Sequence, residues 1–316
     1  MNILFYSQWS NKNIWYKKIK KTFKDAKIYT LEDNPDLNKI EIAIIWRLPD
    51  EVYKKLNNLK LVFSLGAGVD HIINLPSYNK LPIIRLKDPL MAERMSNHVL
   101  SQILYFQLHL NAFRLSQEKK HWRSYELGDE IRDPELNSEI TIGILGCGYL
   151  GTFVGNTLGK LGYNVQGFKN SKTNKKYNFK VFYEKKELKN FIKSSNIIVS
   201  ILPSTKETSQ IININFLRLM KKESLLINVG RGASINEDDL ISHLKTNKYF
   251  YASLDVFQTE PLPKKHKFWN IKNLTITPHV ASNTVISSAI DEIYRRYLEF
   301  RKNKKIKSDV NLKKGY

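Results

Sequence analysis

Thr141-Ile142-Gly143-Ile144-Leu145-Gly146-Cys147-Gly148-Tyr149-Leu150-Gly151 is the stretch on which the reading of this chain turns. With Ile140 before it, the first half is an apolar run of strand length, and the second half is G-x-G-x-x-G. Such glycines carry meaning only when a buried strand precedes them and a helix follows. Here Val154, Leu158 and Leu161 recur at helical spacing as far as Gly162, and Asn164-Val165-Gln166-Gly167-Phe168 supplies a second strand. Gly146 permits the tight turn out of the first strand, Gly148 lets a pyrophosphate approach the backbone, and Gly151 lets the helix pack close to the sheet. The N–H groups at the helix start, around Tyr149 and Leu150, then face phosphate oxygens. The stretch therefore predicts a βαβ unit that binds a dinucleotide.

Upstream, Asn2 to Tyr6 reads as a strand, Ile14 to Phe23 as an amphipathic helix, Ile42 to Trp46 as a buried strand and Leu61 to Ser64 as another. The last of these runs into Leu65-Gly66-Ala67-Gly68-Val69-Asp70, a glycine loop at a strand's carboxyl end, where open parallel sheets bind ligands. Two readings stand for that loop: exposed N–H groups that hold a carboxylate, or a plain tight turn. Pro82 to Leu86 is a further short strand, and apolar spacing at Met95, Val99, Ile103, Phe106 and Leu110 predicts one helix over 92–114. The polar stretch from Gln117 to Ser138, with Trp122 and Tyr125, is either a linker or an arm that packs on a second subunit.

The composition limits the alternatives. At 316 residues and 42% hydrophobic the chain is long enough for two domains. Its longest apolar stretch, Val99 to Leu110, is broken by polar residues, so no membrane span is expected. The expected setting is the cytoplasm. One cysteine, Cys147, rules out an internal disulfide framework, and no Cys/His cluster has metal-ligand spacing, so no metal is expected. The net charge of +21 would fit a nucleic-acid binder. The lysines are instead spread over nearly every segment, without an aromatic-interleaved motif, and read as a solvated surface.

Downstream, the strands Ile197–Leu202, Ser224–Val229, Tyr251–Leu254 and Leu274–Thr277 end at Pro203, Gly230-Arg231-Gly232, Asp255 and Pro278-His279. Arg231, Asp255 and His279 thus lie on the sheet edge that also carries the phosphate loop. An arginine there can take a carboxylate bidentately and polarise the adjacent carbonyl, and a histidine can give a proton to the carbonyl oxygen. Glu260, in Thr259-Glu260-Pro261-Leu262-Pro263, is the carboxylate available to orient the imidazole.

With Gly146-x-Gly148-x-x-Gly151, Leu202-Pro203-x-Thr205-x-x-Thr208, Asn228-Val229-Gly230-Arg231-Gly232, Leu254-Asp255-Val256-Phe257, Glu260-Pro261-Leu262-Pro263 and Thr277-Pro278-His279-Val280 in that order, the chain resembles the D-isomer-specific 2-hydroxyacid dehydrogenases. Within that family it is most similar to the A-type glyoxylate/hydroxypyruvate reductases, on Leu65-Gly66-Ala67-Gly68-Val69-Asp70, the Thr141 strand, Thr275–Ala281 and the terminal Gly315-Tyr316. The resemblance implies an α/β fold in two domains. One is a Rossmann-type doubly wound parallel sheet over 98–283; the other is a smaller flavodoxin-like domain built from 1–97 and 284–316. It implies an enzyme that reduces a small 2-oxo acid, with Arg231 on the substrate, His279 as proton donor and Glu260 as its partner. It further implies Asp255 and Pro203 on the cofactor, Ala67 and Gly68 on the substrate carboxylate, and a homodimer with 117–138 as its arm. A phosphoglycerate or lactate type, or a corepressor-like regulator that senses a nucleotide, are the alternatives the same resemblance leaves.

One departure bears on the cofactor. Where NAD-preferring relatives carry an acid for the ribose 2′-hydroxyl, this chain has Lys169, followed by Lys172, and no acid precedes Glu184. The expectation is therefore NADPH, with NADH the weaker alternative.

Overall fold

The structure, a computed structural model, describes residues 1–124 and 134–311. Numbered in chain order, its strands and α-helices are β1 (Asn2–Ser7), α1 (Lys12–Thr22), β2 (Lys27–Tyr29), β3 (Ile42–Trp46), α2 (Asp50–Tyr53), β4 (Leu61–Ser64), α3 (Asp70–Ile73), β5 (Ile83–Ile84), α4 (Pro89–Gln107) and α5 (Leu110–Glu118). They continue with β6 (Thr141–Leu145), α6 (Tyr149–Lys160), β7 (Asn164–Lys169), β8 (Lys180–Tyr183), α7 (Glu184–Ser194), β9 (Ile197–Ser200), α8 (Ile214–Leu217), β10 (Ser224–Asn228), α9 (Glu237–Thr246), β11 (Phe250–Leu254), β12 (Leu274–Ile276) and α10 (Ile286–Asn303). The described residues divide into two compact units, one within 1–91, 203–205 and 283–311, the other within 92–124, 134–202 and 206–282.

The first unit is a five-stranded sheet in the order β2-β1-β3-β4-β5, with every pairing parallel. β3 and β4 are nearly continuous runs of Ile, Val, Leu and Phe, as befits strands covered on both faces. The C-terminal α10 buries Ala289, Ile290, Ile293, Tyr297 and Phe300, and its Tyr294 and Tyr297 rings meet Phe23 at 4.9 and 5.0 Å. Both ends of the chain therefore build one core. Two short strands differ from the sequence expectation. β5 is confined to Ile83–Ile84, because Pro82 has no N–H to give to the ladder. β2 is too short and too polar to stand out in the sequence.

The second unit is a seven-stranded, wholly parallel sheet in the order β12-β11-β10-β9-β6-β7-β8. The fold class is the one expected, α/β with doubly wound parallel sheets. Strand order reverses between β6 and β9, and such a switch point leaves a crevice at the carboxyl ends of the strands. Because every strand runs the same way, the residues after Leu145, Lys169, Ser200, Asn228, Leu254 and Ile276 all emerge on one edge.

The single helix expected over 92–114 is two helices. His109 adopts a left-handed φ of 52° between α4 and α5. At the end of α4 the Gln107 side chain turns inward, donating to Glu135 O (2.7 Å) and Asn137 Oδ1 (3.0 Å) and accepting from Tyr163 Oη (2.7 Å). Leu108 and Leu110 stay exposed, so no buried stripe holds the helix in register past Phe106. Among the described residues no helix is long and apolar enough to cross a membrane, and no cluster of His, Cys, Asp and Glu is arranged to hold a metal ion.

Candidate active site

The turn from β6 into α6 is built as its glycines require. Gly146 has φ +109°, which an L side chain rarely adopts, and a Cβ there would lie 2.8 Å from Ile201 O. A Cβ on Gly151 would fall on the carbonyl of Gly146. Gly148 is different: a Cβ there would meet nothing within 4 Å, so the close approach its lack of a side chain permits is from outside the chain. The amides of Leu150 and Gly151 have no partner among the described residues. Free donors at a positive helix end, beside an open glycine, fit the pyrophosphate of a dinucleotide.

Cys147, between the glycines, is turned away from that space. Its Sγ occupies the room a Cβ on Gly167 would need, and it is 2% exposed. Burial pushes its thiol up to about 12, against the pull of Lys169, the Phe168 backbone and Lys175. Lys169 is the last, half-buried residue of β7, and Lys172 is exposed in the loop beyond. The sequence reading missed Lys175, whose Nζ donates to Thr152 Oγ1 on α6 at 3.0 Å. It also missed Tyr177, whose hydroxyl donates to Cys147 O at 3.3 Å.

Arg231 follows β10 in a turn clamped by Asn228. Asn228 Oδ1 accepts from Gly230 N (3.2 Å) and its Nδ2 donates to Arg231 O (3.1 Å), which also accepts from Ser234 Oγ (2.7 Å). The guanidinium Nη1 donates to Gly230 O at 2.9 Å, which fixes the direction of the fork. A Cβ on Gly232 would fall on the backbone of Phe257, so the turn and the segment after β11 lie in contact. That segment carries Glu260.

Glu260 Oε1 accepts from the Phe257 amide (3.0 Å), and Oε2 lies 2.7 Å from His279 Nδ1. Burial alone would raise the Glu260 pKa. The hydrogen bond from His279, the Phe257 amide and the charges of His279 and Arg231 outweigh it, so the carboxyl sits below its usual range. With Nδ1–H given to the carboxylate, Nε2 is the imidazole nitrogen left to exchange a proton outside the pair. The structure thus brings Arg231, Glu260 and His279 to one edge of the second unit, although 19 positions separate Glu260 from His279.

Asp255 follows directly on β11. It is 1% exposed, and its carboxylate accepts from Thr277 Oγ1 (2.6 Å) and from the amides of Val280 and Ala281 (both 2.9 Å). Those bonds go to the turn that presents His279, whose φ is +55°. His98, on α4, lies within the field of Asp255. Its buried Nε2 has no hydrogen-bond partner among the described residues, and burial lowers its pKa against the pull of that carboxylate. No sequence signal marks His98, since its position is one of several polar sites along a helix.

In the first unit, the loop after β4 is held from within. Ser64 Oγ accepts from Gly66 N (3.3 Å) and donates to Gly68 O (2.9 Å). His71 Nδ1 accepts from Arg47 N (3.4 Å), which leaves its Nε2 to face Ser64 Oγ at 3.3 Å. The amides of Ala67 and Gly68 have no partner among the described residues, an arrangement suited to an anion. Pro203, three residues beyond the end of β9, groups with the first unit.

Comparison with known proteins gives a consistent picture. Residues 100–281 match the family "D-isomer specific 2-hydroxyacid dehydrogenase, NAD binding domain". The glyoxylate/hydroxypyruvate reductase A of Serratia proteamaculans is 33% identical over 325 residues, which span the whole of both chains. Among solved structures, a D-isomer specific 2-hydroxyacid dehydrogenase from Xanthobacter autotrophicus, in complex with NADPH and MES, is 28% identical. It superposes with a TM-score of 0.90 over 100% of this chain and 99% of that one. An NADPH-dependent glyoxylate/hydroxypyruvate reductase from Sinorhizobium meliloti, in complex with NADP and sulfate, is 27% identical, again with a TM-score of 0.90 and the same coverage.

Proposed function

The chain belongs to the D-isomer-specific 2-hydroxyacid dehydrogenase family, and on that premise we propose that it reduces glyoxylate to glycolate and hydroxypyruvate to D-glycerate with NADPH. The observation that carries the reading is the Glu260–His279 pair, 2.7 Å apart, beside Arg231. The likeness to reductases named for those two substrates supports it.

In this reading a bound nicotinamide supplies a hydride to the carbonyl carbon. Arg231 takes the substrate carboxylate and polarises the carbonyl, its fork anchored by Gly230 O. His279 gives the proton from Nε2 to the carbonyl oxygen, completing the hydroxyl. Glu260 holds the ring by Nδ1 and balances the imidazolium charge. The amides of Ala67 and Gly68 receive the substrate carboxylate. Gly146, Gly148, Tyr149, Leu150 and Gly151 cradle the pyrophosphate, and Pro203 and Asp255 border the cofactor. Residues 98–283 serve as the cofactor domain, and 1–97 with 284–316 as the substrate domain.

The preference for NADPH rests on Lys169, Lys172 and the absence of an acid before Glu184. A cytoplasmic homodimer completes the proposal, with the arm at 117–138, of which 125–133 lie outside the described residues. Trp122 and Leu136, 83% and 67% exposed on either side, are apolar groups that such a contact would cover. A lactate or phosphoglycerate type is the second reading within the family, and a corepressor-like regulator a third, disfavoured by the intact catalytic set. Initial rates of NADPH and NADH oxidation with glyoxylate and hydroxypyruvate test the proposal. Turnover is expected with both acids, faster with NADPH, and lost in Arg231→Ala and His279→Ala. Full turnover in either variant would overturn the assignment.

A further inference from the structure

Residues 170–179, between β7 and β8, return across the start of α6. Tyr177 Oη reaches Cys147 O at 3.3 Å, and the Phe179 ring fills the space beside Gly155, where a Cβ would come within 2.7 Å of it. These two anchors set the position of Lys175. Its ammonium donates to Thr152 Oγ1 (3.0 Å) and lies 5.1 Å from the centroid of the Tyr177 ring. Thr152 is itself fixed, donating from Oγ1 to Gly148 O at 2.6 Å.

The electrostatics of this arrangement are one-sided. A cation is held beside the first turn of a helix, the positive end of its dipole. Among the described residues Lys175 has no carboxylate partner, only a hydroxyl and an aromatic face. Between Ile140 and Tyr183 the chain has no Asp or Glu at all, yet it carries Lys160, Lys169, Lys172, Lys175, Lys176 and Lys180. Such a group gains most when an anion enters between the helix start and the end of β7. That is where the adenosine ribose of a dinucleotide lies in a unit of this kind.

We propose that Lys175, preset by Thr152 and Tyr177, is the residue that distinguishes NADPH from NADH by pairing with the 2′-phosphate. The inference rests on the reading of this site as an NADPH site, and it moves the discriminating charge from Lys169 and Lys172, chosen on position in the sequence, to a lysine held by contacts. Tyr177 contributes by keeping the ammonium on the helix side of the loop, so little side-chain entropy is lost on binding.

Calorimetric titration of the full-length protein with NADPH and with NADH, for wild type, Lys175→Gln and Lys175→Arg, tests it without turnover. A lost charge-assisted contact should raise the NADPH dissociation constant roughly tenfold to a hundredfold in Lys175→Gln. The NADH constant should stay within about twofold, and Lys175→Arg should restore most of the NADPH affinity. Lys175 is exposed, so the thermal midpoint should not move. Parallel losses for both nucleotides would place the lysine on the shared pyrophosphate and overturn the proposal. So would an unchanged NADPH affinity, which would leave an NADPH preference to Lys169 or Lys172. Wild type that binds NADH as tightly as NADPH would overturn the cofactor reading itself.

Discussion

The backbone N–H of His279 donates to the carbonyl oxygen of Asp255 at 2.8 Å, while the Asp255 carboxylate binds Thr277, Val280 and Ala281 on either side of that histidine. One buried residue therefore holds the whole turn. His279 needs such support, because a left-handed conformation costs a non-glycine residue about 1–2 kcal/mol. Charge-assisted bonds to Asp255 offset that cost and aim the ring at Glu260.

Asp255→Asn should show this directly. The amide nitrogen cannot accept, so one of the bonded donors loses its partner in a buried place, at a cost of about 1–3 kcal/mol. The thermal midpoint should fall, and turnover should fall further than nucleotide affinity. An unchanged midpoint with full turnover would remove Asp255 from this role.

The phosphate loop offers a paired test of fold against binding. Gly151→Ala forces a methyl onto the Gly146 carbonyl and should destabilise the protein by about 1–3 kcal/mol. Gly148→Ala places its methyl in open space, so the thermal midpoint should hold while nucleotide affinity drops severalfold. Equal effects of the two substitutions on stability would contradict the division of labour between the glycines.

Glu260 predicts an acid-side loss of stability. Its folded pKa lies below the ordinary 4.5, so the folded state binds fewer protons than the unfolded chain in this range. The contribution is present in full above 4.5 and disappears as pH falls through the lower, folded value. Thermal midpoints of wild type and Glu260→Gln should therefore converge, or cross, as pH falls from about 6 to about 3. A gap constant across that range would show that the carboxylate is not favoured by folding.

Cys147 should be inert in the native protein. Burial and a thiol pushed up to about 12 both oppose thiolate formation. Ellman's reagent at pH 8 should detect no rapid reaction in the folded protein and one thiol per chain after unfolding, the chain's sole cysteine. Rapid native labelling would mean that the loop opens far more than its packing on Gly167 allows.

Much of the site is legible in the amino-acid sequence, for a reason visible in its parts. A glycine that must turn a strand into a helix announces itself locally, and parallel strands put their carboxyl ends on a common edge, so Arg231, Asp255 and His279 group together from strand endings alone. Gln107 and His109 show the limit. The apolar spacing runs smoothly past them, and the helix breaks there because Gln107 finds Tyr163, Asn137 and Glu135, which lie well beyond the helix window.

By itself the sequence determined the βαβ units, the phosphate turn at Gly146, Gly148 and Gly151, and the edge on which chemistry collects, because periodicity and backbone sterics act over a few neighbouring residues. Only the tertiary structure decided that Glu260 holds His279, that Asp255 grips the turn rather than standing open, and that Lys175 rests on Thr152. Those contacts join residues 19, 25 and 23 positions apart. Their partners are chosen by where loops return across the sheet edge, and that path is set by packing of the whole unit rather than by any local pattern.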